Sequence, residues 1–302
     1  MTRLSWWDAP DKIRAEVERR LGSPIVEAVT QPGGFSPGVA ALCVLDDGRN
    51  IFIKACSESI NPMTAAMHRR EVGVLDGLRS AAFVPRLIDV VDEREWIVLL
   101  VVGVRGRLPT ARDSGAVDRA LALIPRVQSL DVAYFSGPDD SPFSRIQRSP
   151  WADMRADDMQ FDPWCEQHFE RLLEFEREAA ELDAPVVCHG DFRLDNVLFA
   201  ADGHTMLADW AQAARGPAFA DLIEVSIDIH VEGGPRPSVT FAAHVRNFVI
   251  DSSDAVTAYL TTVAGRLTRL ATFPEPPGIV GLRSYQRSQA ASARAWLAER
   301  IL

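Results

Sequence analysis

The chain has 302 residues, 47% of them hydrophobic, which is enough apolar material for one large domain or two lobes with buried cores. Its formal net charge of −10 argues against a nucleic-acid partner, because phosphates are repelled where no basic patch faces them. No apolar run approaches a membrane span and the N-terminus lacks the apolar stretch of a signal peptide, so we predict a cytoplasmic protein without a membrane partner. The four cysteines lack metal-ligand spacing, and we interpret them as reduced core residues.

The first third of the chain predicts a small sheet with one helix across it. Apolar residues recur at helical spacing from Asp11 to Leu21, where Gly22 ends the first helix. Short apolar runs bounded by turn residues then predict strands, and a second helix follows the third strand. The predicted strands span residues 25–30, 39–45, 50–56, 86–91 and 96–102, and the second helix spans residues 62–78.

The turn between the first two strands, residues 31–38, is rich in glycine. It contains Gly33, Gly34, Phe35 and Ser36. Glycine lets the chain approach a ligand closely, so such a turn can place backbone N–H groups over phosphate oxygens. The pattern is weak by itself, because most turns of this kind only join the strands of a hairpin.

Lys54 is one of only two lysines in the chain, and it lies in the third predicted strand. The other, Lys12, belongs to a charged helix and needs no special role. A strand lysine is ordinarily a solvated edge residue. After a glycine-rich loop, however, kinases place a lysine that contacts nucleotide phosphates and pairs with a helix glutamate. Glu71 is the only acidic residue in the first two and a half turns of the second helix, and we predict that it pairs with Lys54.

The remainder of the chain is predicted to be mostly helical. Apolar periodicity indicates a helix over residues 113–130 that Pro125 should kink. A further helix is expected to begin near Gly216, with Pro217 in its first turn. The other predicted helices span residues 164–182, 253–272 and 281–302, and a loop rich in Pro, Ser and Asp spans residues 136–150.

Residues 188–209 carry the strongest chemical pattern in the chain. Strands predicted over residues 184–188, 196–200 and 205–208 surround a polar cluster that includes Asp191, Asn196 and Asp209. Carboxylate and carboxamide oxygens suit Mg²⁺, which takes only one or two protein carboxylates when it bridges phosphates. One aspartate then remains available to orient an attacking hydroxyl. In protein kinases the pattern His-x-Asp-x-x-x-x-Asn with a later Asp does this work, with the first Asp as the base.

With His189-Gly190-Asp191 and Asp209-Trp210, the chain resembles the aminoglycoside phosphotransferase family of small-molecule kinases. The resemblance implies an α+β, protein-kinase-like two-lobe fold, with a small antiparallel sheet and one helix in the N-terminal lobe and a larger, mostly helical C-terminal lobe. We place the nucleotide-binding lobe at residues 1–101 and the catalytic lobe at residues 102–302. Asp191 is the expected catalytic residue, and Asn196 and Asp209 are the expected Mg²⁺ ligands.

The resemblance also implies roles for residues outside these motifs. Backbone groups near Leu100 and Val102 are expected to contact the purine of ATP or GTP. The family often has an acidic residue at or near Val101, so its absence leaves the choice of nucleotide open. Asp221 is expected to brace the catalytic loop. His189 is expected to bond backbone groups rather than to take part in the reaction.

We therefore expect a phosphotransferase that uses a nucleoside triphosphate to phosphorylate a hydroxyl of a small molecule, preferentially an antibiotic. A housekeeping kinase of an amino alcohol, sugar or amino acid is the alternative, followed by a non-catalytic nucleotide-binding protein of the same fold. The net charge favours an amino-bearing antibiotic slightly, whereas a nucleoside antibiotic or a macrolide stays open. The sequence does not indicate an oligomeric state. The acids considered as acceptor ligands are Asp157, Asp158, Asp195, Glu224, Asp228 and Glu232.

Overall fold

A computed structural model describes residues 3–93, 95–135, 150–248 and 252–301. The chain divides into two compact units. The first unit comprises Met1–Leu108, Asp195–Ala211 and Glu275–Val280, and the second comprises Pro109–Leu194, Gln212–Pro274 and Gly281–Leu302. The lobe boundary expected at residues 101 and 102 stays a prediction. Most of the predicted loop over residues 136–150 lies outside the described residues.

The helices and strands follow the predicted order closely in the first unit and with several differences in the second. The strands are β1 (Ile25–Thr30), β2 (Val39–Leu45), β3 (Asn50–Ser57), β4 (Leu87–Glu93), β5 (Trp96–Val102), β6 (Gly106–Arg107), β7 (Val186–Cys188), β8 (Val197–Ala200), β9 (Thr205–Leu207) and β10 (Ala214–Gly216). The helices are α1 (Asp11–Leu21), α2 (Pro62–Gly77), α3 (Ser114–Leu121), α4 (Ile124–Gln128), α5 (Pro150–Ala156), α6 (Pro163–Ala180), α7 (Ala220–Val231), α8 (Pro237–His244), α9 (Ser253–Leu270) and α10 (Leu282–Ile301).

The first unit is built on an antiparallel sheet with the strand order β1-β2-β3-β5-β4. Along β2 buried residues alternate with half-buried ones, as expected for a strand with one face against the core. Helix α1 buries Ile13, Val17 and Leu21 in the same core, since residues four apart lie on one face of a helix. Helix α2 begins at Pro62, where the side chain of Asn61 accepts a hydrogen bond from the Thr64 N–H at 2.9 Å.

A second, three-stranded sheet of the first unit carries part of the central motif. Its strand order is β6-β8-β9, and β8 and β9 form a tight hairpin in which Val197 pairs with Leu207. This hairpin groups with the first unit, although it lies nearly a hundred residues after β5. The residues on either side of the hairpin are therefore held in a fixed register.

The second unit is mostly helical, and α9 packs against α6 and α10. The predicted kinked helix over residues 113–130 forms two helices, because Pro125 lies in the first turn of α4, where its missing N–H does no harm. The prediction that a helix begins near Gly216 is wrong. Gly216 pairs with Val186 in the β7–β10 ribbon, and α7 begins at Ala220. Helix α8 was not expected from the periodicity. None of the described helices is long and apolar enough to span a bilayer.

Candidate active site

Lys54 lies at the centre of a charged cluster in the first unit. Its Nζ atom lies 2.9 Å from both carboxylate oxygens of Glu71 and 3.0 Å from Oδ1 of Asp209. The Lys54 side chain is 15% exposed and that of Glu71 only 4%, so this is a buried ion pair rather than a solvated edge lysine. The predicted pairing of Lys54 with Glu71 is therefore present.

The sheet and helix α2 determine this geometry. Lys54 pairs with Ala40 on one side and Leu99 on the other, so its backbone is held in the middle of the sheet. Glu71 belongs to the buried face of α2, and its Oε1 also accepts the backbone N–H of Trp210 at 3.3 Å. The helix carboxylate thus joins the strand lysine to the residue that follows Asp209.

The charges of the cluster stabilise one another. Burial alone would lower the pKa of Lys54, but the carboxylates of Asp209 and Glu71 outweigh it and raise the pKa above its usual value. Lys54 therefore stays protonated at any physiological pH. Removing either carboxylate would still leave Lys54 with one acidic partner, so the ammonium would lose only part of its compensation.

Asn196 and Asp209 lie at the two ends of the β8–β9 hairpin. The backbone oxygen of Asn196 accepts the N–H of Ala208 at 2.8 Å, so the hairpin register brings Asn196 beside the residue that precedes Asp209. Asp209 has a φ of +68°, a conformation that non-glycine residues adopt rarely and that clusters at functional sites. In this conformation the Asp209 carboxylate faces Lys54.

The oxygens of Asn196 and Asp209 suit a hard cation such as Mg²⁺. A nucleotide-bound Mg²⁺ needs only one or two carboxylates from the protein, because phosphate and water oxygens complete its octahedron. No group of three His, Cys, Asp or Glu side chains is arranged to hold a metal within the part of the chain that the structure describes. The donor set of Asn196 and Asp209, one carboxamide and one carboxylate, is of the kind that a nucleotide-bound Mg²⁺ takes.

The glycine-rich loop is exposed to solvent. Leu100 and Val102, the residues expected to contact the purine, are instead hydrogen-bonded within the sheet. Gly33 and Gly34 are exposed and have φ values of +92° and +65°. Leu100 pairs with Ile53 within the sheet, and the N–H of Val102 donates to the Arg86 oxygen at 2.9 Å. A purine contact through the Val102 N–H would need that bond to open, and the purine-binding role of both residues stays a prediction.

In the second unit, the loop after β7 carries His189, Gly190 and Asp191. The Asp221 carboxylate accepts the N–H of His189 at 2.8 Å and that of Gly190 at 3.0 Å, so the expected bracing of this loop is present. Asp221 is 3% exposed, and burial raises its pKa to about 7. Gly190 has a φ of +74°, and a Cβ there would lie 2.4 Å from the Gln212 oxygen, so only glycine fits. The His189 side chain is fully buried, and its expected bonds to backbone groups stay a prediction.

Asp191 is half-buried and lines a cavity of about 280 Å³ within the second unit. One part of the cavity is apolar and the other carries charged and amide side chains. Its apolar lining consists of Phe192, Ile227, Val263, Leu267, Leu270 and Leu282. Its polar lining consists of Asp191, Arg193, Gln212, Glu224, Asp228, Arg266, Tyr285, Gln286 and Gln289, together with Gly190.

Two further acids of this cavity, Glu224 and Asp228, have partners on neighbouring helices. Glu224 accepts hydrogen bonds from Arg266 Nη2 at 2.6 Å and from the Tyr259 hydroxyl at 3.0 Å. Asp228 accepts a hydrogen bond from the Tyr285 hydroxyl, and the Arg193 guanidinium lies 5.3 Å from the centre of the Tyr285 ring. The cavity is therefore close to neutral apart from Asp191.

Of the acids considered as acceptor ligands, only Glu224 and Asp228 line this cavity. Asp157 pairs with Arg269 at 3.3 Å, and Asp195 belongs to the first unit. The sequence reasoning missed Arg193 and Arg266. Arg266 could have been found, because it is the first basic residue of α9 and directly follows the apolar stretch of that helix.

Comparisons with known proteins show the family and the fold of this chain. A model of the phosphotransferase enzyme family (APH) matches residues 44–258. No curated protein matches the chain significantly in sequence.

Among solved structures, choline kinase LicA from Streptococcus pneumoniae has a TM-score of 0.63 at 15% identity, with 96% of this chain and 99% of that chain covered. Spectinomycin phosphotransferase APH(9)-Ia, in complex with ADP and spectinomycin, has a TM-score of 0.63 at 11% identity, with 99% and 100% covered. Aminoglycoside phosphotransferase APH(4)-Ia has a TM-score of 0.61 at 14% identity, with 96% and 97% covered. This likeness confirms the predicted α+β, protein-kinase-like two-lobe fold.

Proposed function

We propose that this chain, which belongs to the phosphotransferase enzyme family, transfers the γ-phosphoryl group of ATP or GTP to a hydroxyl of a small molecule. The observation that carries the proposal is the buried contact of Lys54 with both Glu71 and Asp209. Kinases bind nucleotide phosphates with a lysine that lies between a helix glutamate and a metal-binding aspartate.

In the first unit, Lys54 would contact the phosphates, and Asn196 and Asp209 would hold Mg²⁺. When bound, the metal would neutralise charge on the phosphate oxygens. Lys54 can exchange its contact with Asp209 for phosphate while Glu71 keeps it oriented. The glycine-rich loop would cover the phosphates with backbone N–H groups.

In the second unit, Asp191 would accept a hydrogen bond from the acceptor hydroxyl and orient it for attack. Phosphoryl transfer passes through a loose transition state, so orientation and charge neutralisation contribute more than strong base catalysis. Asp221 supports this role indirectly, because it fixes the backbone of the two residues before Asp191.

For the acceptor we propose an antibiotic, as in a resistance or self-resistance kinase. The side chains that line the cavity beside Asp191 indicate which class of antibiotic would fit. Glu224 and Asp228 are already paired with Arg266 and Tyr285, so they offer little to a molecule with several ammonium groups. The apolar lining favours an acceptor with a hydrophobic face, such as a macrolide or a nucleoside antibiotic, over a polycationic one.

A housekeeping kinase of an amino alcohol, sugar or amino acid is the second candidate, since choline kinase LicA is among the proteins of similar fold. A non-catalytic nucleotide-binding protein is less favoured, because Lys54, Asp191, Asn196 and Asp209 are all retained.

The test is nucleotide consumption by the purified protein against a panel of antibiotics and metabolites, with ATP and GTP run separately. Erythromycin, a nucleoside antibiotic, kanamycin, choline and serine cover the acceptor classes. We expect acceptor-dependent consumption that requires Mg²⁺ and is lost in Asp191→Asn. Binding of Mg·ATP without turnover by any acceptor would favour the non-catalytic alternative instead.

A further inference from the structure

The segment that precedes α1 is anchored beside the end of the glycine-rich loop. The N–H of Leu4 donates to the Gly38 oxygen at 3.1 Å, and Leu4 pairs in parallel with Val39 at the start of β2. Trp6 is fully buried in the core beneath the sheet. These contacts hold the backbone of Arg3 next to the loop expected to cover the nucleotide phosphates.

The side chain of Arg3 packs against the backbone of that loop. A Cβ atom built at Gly34 would lie 2.6 Å from Nη2 of Arg3, which is closer than real side chains approach. The guanidinium therefore occupies the space that the absence of a side chain at Gly34 leaves open. Arg3 is half-buried, so it is not one of the freely solvated arginines of the surface.

Arg3 shares its electrostatic surroundings with the Lys54 cluster. Burial lowers the pKa of the Arg3 guanidinium, and the carboxylates of Asp209 and Asp195 offset part of that effect. An arginine remains charged under these conditions. His68 is buried in the same region, and desolvation, with the charges of Lys54 and Arg3, lowers its pKa to about 3. Lys54 and Arg3 are both cations whose charges interact with Asp209.

We propose that Arg3 is a second phosphate-binding residue, which donates hydrogen bonds to the phosphates of the nucleotide held by Lys54 and the glycine-rich loop. This inference rests on the proposed function, since it concerns the same nucleotide. A planar guanidinium can bind two phosphate oxygens at once, which the ammonium of Lys54 cannot do in the same way. Arg3 lies outside residues 44–258, so the family match assigns it no role.

Binding of the nucleotide would change the electrostatic surroundings of Arg3. Without nucleotide, the charges of Asp209 and Asp195 offset only part of the effect of burying its guanidinium. Phosphate oxygens would supply the remaining compensation and leave Asp209 to the metal. The N-terminal segment thus acts as part of the nucleotide site.

The test compares Arg3→Gln and Arg3→Lys with the wild type and with Lys12→Gln. Lys12 is exposed on α1, so its variant removes one positive charge from the same region without touching the site. Calorimetric titrations with Mg·ATP and with adenosine separate phosphate contacts from base contacts. We expect Arg3→Gln to weaken Mg·ATP binding about tenfold or more, because the exchange removes charge-assisted hydrogen bonds to phosphate. Adenosine binding should not change, and Arg3→Lys should restore part of the affinity.

The thermal unfolding midpoint of Arg3→Gln should stay close to that of the wild type, because Leu4 and Trp6 still anchor the segment. Equal Mg·ATP affinity in Arg3→Gln and wild type would overturn the inference. Tighter binding would also overturn it, since Arg3 would then be an obstacle to the phosphates. A wild-type protein that binds no Mg·ATP would reject the proposed function itself, and with it the role of Arg3.

Discussion

The Nζ atom of Lys54 lies 2.9 Å from each carboxylate oxygen of Glu71, which joins the central strand β3 to the buried face of α2. A bidentate contact of this kind holds the ammonium in one position. The lysine needs that restraint, because its flexible stem would otherwise let the charge sample several positions. In the proposed nucleotide site, Glu71 would therefore act through Lys54 rather than through a phosphate contact of its own.

Replacing Glu71 by Gln should raise the KM for Mg·ATP about tenfold or more, since a charge-assisted hydrogen bond contributes roughly 1.5–3 kcal/mol. The KM for the acceptor should change little, because Glu71 has no role in the second unit. Steady-state kinetics with each substrate varied separately measures both effects. The matched control is Asp76→Asn, an exposed acid at the end of the same helix that pairs with Arg79. An unchanged nucleotide KM in Glu71→Gln would contradict the positioning role.

Asp209→Asn should abolish the dependence of nucleotide affinity on Mg²⁺ while it preserves the fold. Asparagine tolerates a positive φ better than most residues, so the φ of +68° at this position does not prevent the exchange. Asp209→Ala would add backbone strain and is the less informative variant. Titration of ATP with and without Mg²⁺ by calorimetry measures the effect. If Mg²⁺ strengthened ATP binding equally in Asp209→Asn and wild type, Asp209 would not be a metal ligand.

Asp221 should make the stability of the protein depend on pH. Its pKa is raised from 3.8 to about 7 by burial, so the native state holds a proton that the unfolded state releases. The contribution of this group to stability is therefore fully present below 3.8 and is lost as the pH rises towards about 7. Urea unfolding of wild type and Asp221→Asn across that range should show a smaller decrease in the variant.

Glu176 provides a comparison for Asp221, since burial raises its pKa to about 7 as well. It accepts the N–H groups of Trp151 and Ala152 at the start of α5, away from the loop that carries Asp191. Glu176→Gln should reduce the same pH dependence of stability but leave kcat unchanged. Asp221→Asn should reduce both, because the catalytic loop loses its support. Parallel slopes of unfolding free energy against pH in wild type and Asp221→Asn would show that Asp221 does not hold the extra proton.

Arg266→Gln should make the cavity beside Asp191 more attractive to amines. The exchange leaves the carboxylate of Glu224 without its cationic partner, so kanamycin should bind about tenfold more tightly than to wild type, a gain of roughly 1.4 kcal/mol. Arg269→Gln is the control, because Arg269 lies one turn further along α9 and pairs with Asp153 and Asp157. Fluorescence or calorimetric titration measures both affinities. Micromolar kanamycin binding by the wild type would contradict the inference that Glu224 and Asp228 are compensated by their partners.

Thermal melting should accompany that experiment. Arg266 and Glu224 are 29% and 23% exposed, so breaking the pair leaves a partly buried charge and should lower the unfolding midpoint by a few degrees. The variant must remain folded at the assay temperature for the binding result to count. If Arg266→Gln and Arg269→Gln changed the kanamycin affinity equally, Arg266 would have no special role.

The sequence alone determined the parts of the fold that depend on local pattern. The bounds of α1, β1, β2 and β5 agree with prediction, since turn residues and apolar periodicity mark their ends. The pairing of Lys54 with Glu71 was also predictable, because the strand and the following helix each offered a single suitable residue. Asn196 and Asp209 lie within one hairpin, so their proximity followed from spacing.

Only the tertiary structure decided which acids line the cavity beside Asp191 and which pair elsewhere. The sequence does not distinguish Asp157 from Glu224 and Asp228. In the structure Glu224 and Asp228 line the cavity and are paired there, whereas Asp157 pairs outside it. The position of Arg3 beside Gly34 was equally invisible, since it depends on a backbone pairing between residues 4 and 39. Contacts between residues far apart in the chain follow from how whole elements pack, and no local pattern records that packing.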